Sequence, residues 1–143
     1  MDAFAMVIAE KPLSANRGRP SPGYTSRLRN AATAQGAWML TGLLYARIIW
    51  FQRRRSEGDV DNIAKLMLDS LKGLVIRDDD EIVRCLTQKT VADAAGRFLY
   101  DPLLIPSSTA RTDLAALVGA SDHVLYIEVG MVIDPTVSFG PVS

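Results

Sequence analysis

Residues 57–83 read EGDVDNIAKLMLDSLKGLVIRDDDEIV. Paired aspartates, a helical stretch and a second acidic run follow one another there, and the rest of the chain is read around them. Asp59 and Asp61 stand two apart, Asn62 follows, and Lys65 lies one helical turn beyond Asp61. Val60, Ile63, Ala64, Met67, Leu68, Leu71 and Leu74 recur at the helical period, which predicts an amphipathic helix over about 61–72 with one face in a core. Asp61, Lys65, Asp69 and Lys72 fall on the opposite face. Asp59 or Asp61 suits the N-cap, and Gly73 suits the left-handed position that ends a helix.

A helix of this size is roughly 17 Å long. Six extended steps from Gly73 to Asp79 reach up to ~20 Å, enough to return Asp79 to the helix start beside Asp59 and Asp61. In an extended return segment successive side chains alternate, so Asp79 faces that pair while Asp78 and Asp80 face away. Like charges about 4 Å apart repel by about 1–4 kcal/mol, so three converging carboxylates call for a cation. All-oxygen ligands with room for water favour Mg²⁺ or Mn²⁺ over zinc. Taken one at a time, an Asp-x-Asp is also a helix cap and an acidic run is also a solvated turn.

The combination carries more than its parts. Asp59-Val60-Asp61-Asn62-Ile63-Ala64-Lys65, then Asp69-Ser70-Leu71, Gly73, Asp78-Asp79 and Ile82-Val83, resembles the signature of the RusA-type Holliday-junction resolvases. The resemblance implies that Asp59, Asp61 and Asp79 are metal-binding catalytic carboxylates and that Lys65 is the essential basic residue. It also implies a homodimer that nicks four-way DNA junctions in pairs during recombination and repair, leaving 5′-phosphates. Asn62 is read as holding the backbone or a ligand carboxylate rather than the metal. Two alternatives stand beside this one: another Mg²⁺-dependent phosphohydrolase, and a non-catalytic DNA-binding or assembly module on the same fold. An Asp-x-Asp of the haloacid-dehalogenase type should directly follow an apolar strand, whereas Asp59 follows Arg-Arg-Arg-Ser-Glu-Gly. An EF-hand loop fails because Ile63 and Ala64 occupy a ligand position and the required glycine.

Just upstream, Leu43 to Phe51 is a near-continuous apolar run with Tyr45, Ile48, Ile49 and Trp50, the pattern of a strand buried on both faces. It runs into Arg53-Arg54-Arg55, a candidate phosphate clamp. Residues 23–35, bounded by Pro22 and Gly36, read as a helix carrying Arg27. Before them a strand over Phe4 to Ala9 leads into a loop with Pro12, Ser14, Asn16, Arg17, Arg19 and Pro20. A Pro-x-Ser-x-Asn-Arg segment follows the first strand in RusA-type proteins too, so Arg17 and Arg19 join the candidate DNA-binding residues.

Downstream, Glu81 to Val91 reads as a strand. Residues 92–120 are longer than the short turn of smaller relatives and read as an insertion. In it, Ser108 or Thr109 caps a short helix through Leu114, Leu117 and Val118, closed by Gly119. From His123 to Ile133, Leu125, Ile127, Val129, Met131 and Ile133 alternate as one face of a half-buried strand. His123 is read as structural. Residues 135–143 read as a loose tail, leaving 1–134 as a RusA-like domain.

Composition agrees with one domain of 143 residues, 48% hydrophobic, with its own core. The single Cys85 and single His123 exclude an internal disulfide and a Cys/His zinc site. Asp2 replaces the basic start of a secretory signal, and the longest apolar run, about Ala37 to Phe51, is too short to span a bilayer and contains Arg47. A cytoplasmic, nucleoid-associated setting with no membrane partner is expected. Net charge is zero, yet residues 1–58 carry nine Lys/Arg against three Asp/Glu, and residues 59–143 carry seven against thirteen. A basic half for phosphates beside an acidic, metal-binding half suits a nuclease. The order strand, helix, strand, helix, strand, strand predicts an α/β domain with a mixed sheet of about four strands and two main helices.

Overall fold

The computed structural model describes residues 3–12, 22–55 and 60–141, with the backbone alone for Pro22 and for 60–62. Four strands and three helices follow in order: β1 (Phe4–Ile8), α1 (Pro22–Ala34), β2 (Leu44–Gln52), α2 (Val60–Leu71), β3 (Ile82–Val91), α3 (Ser108–Val118) and β4 (His123–Met131). The strands form one mixed sheet in the order β1-β4-β2-β3. β2 and β3 are parallel, joined through α2, and β4 runs antiparallel to both β1 and β2. The α/β class and the four-stranded mixed sheet are as the sequence predicts. No described helix is long and apolar enough to cross a membrane.

β2 lies inside the sheet, which explains its near-continuous apolar run: one face is buried throughout, and the other is covered in part, with Arg47 exposed and Phe51 buried. Ala46, Ile48 and Trp50 point into the larger core with Tyr24 and Leu28 of α1 and Ile63, Met67 and Leu71 of α2. Phe51 points the other way, into a second core with Ala5, Val7, Val124, Tyr126, Ile105, Ala110 and Leu114. Residues 92–120 therefore have a definite place. The cap of α3 is Ser107 rather than the expected Ser108 or Thr109, which lie inside the first turn; Ser107 accepts from the Ala110 amide, and Gly119 closes the helix. Its buried Ala110 and Leu114 cover the sheet face opposite α1 and α2, giving three layers where two main helices were expected.

That third layer also corrects the reading of β4. The strand is buried on both faces from Val124 to Gly130, because it sits between β1 and β2 with helices on either side. It ends at Met131, and Ile133 is almost fully exposed. One polar group on its second face is buried as well. Glu128 accepts hydrogen bonds from the Tyr45 hydroxyl at 2.6 Å and the Tyr126 hydroxyl at 2.5 Å. Burial, then the bond to Glu128, pushes both phenols well above the usual tyrosine range, so they remain donors to the carboxylate. Tyr45 reaches Glu128 across Gly130, where a Cβ would come within 2.6 Å of the ring. Only glycine leaves that path open. At the strand's start, the Trp50 indole donates to His123 Nδ1 at 3.2 Å, giving the histidine a packing role.

Candidate metal and DNA site around the second helix

α2 presents the two faces its sequence requires. Ile63, Met67, Leu68 and Leu71 are buried, while Lys65 and Asp69 are exposed. Asp61 and Asn62 lie in the first turn by their backbone, which places Asp61 inside the helix rather than at its cap. Their side chains, and Asp59, lie outside the described residues, as do Arg17 and Arg19.

The far end of α2 is built with more care than the sequence suggests. Arg29 of α1 donates through Nη1 to the carbonyl oxygens of Ser70 (3.1 Å) and Lys72 (2.8 Å). A guanidinium there satisfies orphan carbonyls and suits the negative end of the helix. Gly73, at φ +79°, takes the left-handed turn expected of it. The amides of Leu74, Val75 and Ile76 then all donate to the Leu71 carbonyl, while the Gly73 amide donates to the Ile76 carbonyl.

This knot overturns the extended return. Residues 73–76 are folded into a tight turn, so their length is spent at the C-terminal end of α2. Asp78 is extended and caps a short 3₁₀ turn over Asp79–Glu81, accepting the Asp79 amide at 2.7 Å. Lys72 Nζ lies 3.2 Å from Asp69, 3.5 Å from Asp78 and 3.6 Å from Asp79. Asp79 is thus tied to the level of Lys72, whose α-carbon is roughly 16 Å along the helix from that of Asp61. The expectation that one chain folds Asp79 back beside Asp59 and Asp61 is not met.

The predicted alternation fails for the same reason. A 3₁₀ turn does not flip successive side chains as a strand does, and Asp78 and Asp79 both approach Lys72. Hydrogen bonding to the Asp79 side chain, then to its amide, holds the Asp78 carboxyl below the usual carboxylate range. Asp78 is occupied as a cap, whereas Asp79 is about half exposed and offers carboxylate oxygens to a hard cation. This donor chemistry fits Mg²⁺ or Mn²⁺. Among the described residues no three His, Cys, Asp or Glu side chains are grouped to hold a metal ion. Glu81 fixes the other side of the turn by accepting from the Gly42 amide at 3.0 Å.

Two of the candidate DNA-binding arginines have protein partners. Arg27 makes a forked pair with Glu10, its shortest contact 2.7 Å. Arg53 donates to the carbonyls of Val118 (2.8 Å) and Ser121 (3.3 Å), closing the end of α3 onto the end of β2. Arg54 and Arg55 are exposed. The pattern Arg-Arg-Arg could not say which of the three is consumed by the fold. In sequence Lys72 reads only as a polar-face residue, and Arg29 carries no signal of its role at the end of α2. Lys72 had one readable signal, its (i, i+3) spacing from Asp69, but nothing in the sequence brought Asp78 and Asp79 to it.

The family sequence model described as endodeoxyribonuclease RusA matches residues 22–98, more than half of the chain. This chain belongs to the RusA family. The match runs from α1 through β3, so it contains the whole stretch from Asp59 to Val83, and it ends before α3. RusA-family proteins are DNA endonucleases that act on Holliday junctions. No curated protein matches the sequence.

Proposed function

We propose that this RusA-family chain is a Mg²⁺-dependent endonuclease that resolves four-way DNA junctions by paired nicks, working as a homodimer whose sites are shared between copies. The observation that carries it is the position of Asp79 at the C-terminal end of α2, a helix length from the turn that holds Asp61. With Asp59, Asp61 and Asp79 as the metal ligands, two chains are needed to assemble each site.

Among the described residues, the β3 edge of the sheet pairs with no further strand, which supports such an assembly. β3 is a ten-residue edge strand with no buried residue, the kind of edge that recruits another strand. Pairing β3 with its own copy about a two-fold axis must be antiparallel. The start of one β3, just after Asp79, would then lie beside the end of the other, at Val91. Val91 is opposite Gln52, where β2 leaves the sheet towards α2. Since the C-terminal end of α2 sits by the start of β2, through the Leu40 and Lys72 bridges to Ile76, its first turn points to that same far end. Asp79 of each copy would meet the first turn of α2 of the partner.

Asp59, Asp61 and Asp79 would hold Mg²⁺, or Mn²⁺ in its place, which when bound would supply polarisation of the scissile phosphate and a more acidic water. Lys65, exposed one turn beyond Asp61, would stabilise charge on the leaving 3′ oxygen. The P–O3′ bond breaks as water adds to phosphorus, leaving a 5′-phosphate and a 3′-hydroxyl. Asn62 would steady a ligand carboxylate, and Arg54 and Arg55, with Arg17 and Arg19, would bind backbone phosphates.

The direct test is cleavage of a synthetic four-way junction with and without divalent metal. Paired, symmetric nicks that vanish on chelation while junction binding persists are expected; a junction left intact at saturating Mg²⁺ removes the reading. Binding should also weaken with salt, log K falling by about 0.9 per neutralised phosphate per decade of salt. Arg54→Ala with Arg55→Ala should therefore reduce that slope by up to about 1.8 per chain. An unchanged slope would move the DNA surface elsewhere.

A further inference from the structure

One cation in this chain is placed among three carboxylates by two different elements. Asp69 stands one turn before Lys72 on α2, and Asp78 and Asp79 come from the turn that leads into β3. The lysine's backbone is fixed as well, because its carbonyl accepts from Arg29 of α1. An ordinary exposed ion pair contributes little, since two long side chains must be ordered for a screened attraction. Here a single side chain is shared by three acceptors, and its root is tied down.

We propose that Lys72 is a positioning residue for Asp79: its ammonium, bracketed by Asp69 and Asp78, holds the Asp79 carboxylate in the orientation from which it takes the cation. The inference rests on the reading of Asp79 as a metal ligand. Without the ammonium, three neighbouring carboxylates would repel, and the Asp79 side chain would lose its contact with a cation. Asp78 on the Asp79 amide and Glu81 on the Gly42 amide hold the turn's backbone and its end, but neither bond brings a cation to the Asp79 carboxylate. Lys72 touches neither water nor phosphate in this role, which separates it from Lys65.

The variants are Lys72→Met, which keeps the length and removes the charge, and Lys72→Arg, which restores the charge. Mn²⁺ binding to the dimer without DNA should weaken in Lys72→Met by about 10–100-fold, the usual effect of losing a partner that orients a ligand. The Mg²⁺ midpoint for junction cleavage should rise in parallel, with the rate at saturating Mg²⁺ largely kept, and Lys72→Arg should recover both. Unchanged or tighter Mn²⁺ binding in Lys72→Met would overturn the proposal, since the lysine would then be a bystander or a competitor for the cation. Amide hydrogen exchange over Asp79–Glu81 in the metal-free protein gives a second readout, expected to speed up in Lys72→Met. If the wild type neither binds Mn²⁺ nor cuts junctions, the proposed function fails, and unaltered exchange would then sink the positioning role by itself. Should Lys72→Met not fold, Lys72→Gln carries the same measurements.

Discussion

Two inactive variants, Asp61→Asn and Asp79→Asn, should regain junction cleavage when they are mixed and allowed to exchange subunits. In a shared site, Asp61 of one copy works with Asp79 of the other. A heterodimer of the two variants then holds one site with both defects and one with none. Random exchange of equal amounts makes about half of the dimers mixed, so about a quarter of all sites become intact. The product should be a single nick per junction rather than a pair, because each mixed dimer has one working site. Single-turnover cleavage of an end-labelled junction, with the heterodimer verified by differently tagged subunits, reads this directly. Were each site built within one chain, the mixture would be as dead as its components. The contrast is between near-zero and about a quarter of wild-type nicking, and it depends on no assumption about the metal.

Asp79→Asn by itself should lower the single-turnover rate at saturating Mg²⁺ by at least roughly 100- to 1,000-fold, the scale of losing one group that stabilises charge at the reacting centre. Junction affinity should survive, because the side chain keeps its shape and a negative charge near DNA is removed. Asp80→Asn should stay within a few-fold of wild type, since Asp80 is exposed and the structure gives it no contact with Lys72. Asp78→Asn should fall between them. Its side chain caps the turn that begins at Asp79 and shares Lys72, and an asparagine can still accept the amide. A dead Asp80→Asn with an active Asp79→Asn would place the ligand one residue later. Full activity in all three variants would end the three-carboxylate site.

Much of this molecule was legible in its one-dimensional pattern. The buried strand Leu44–Gln52, the amphipathic helix Val60–Leu71, the left-handed turn at Gly73 and the capped helix before Gly119 all follow from local periodicity and end signals, which act over a few residues. The family was legible too, because its motif is a run of residues in fixed order. What local pattern could not supply is the partner of each polar group. Arg53 and Arg54 are neighbours of the same type, yet only the packing of α3 consumes Arg53. Glu128 falls between the apolar positions of the strand that alternates in sequence, and the structure buries it against two tyrosines.

The largest gap lies at Asp79. Its distance from Asp61 along the chain allowed a reach back to the helix start, and a fully extended segment would have achieved it. Three amides converging on the Leu71 carbonyl hold the chain in a turn instead, and Lys72 keeps the carboxylate at the far end of the helix. Sequence determined the residue types and their order, because those depend on composition and period. Tertiary structure decided which charges meet, because a chain's reach sets only an upper bound on where its groups can go, and hydrogen bonds between distant segments choose within it.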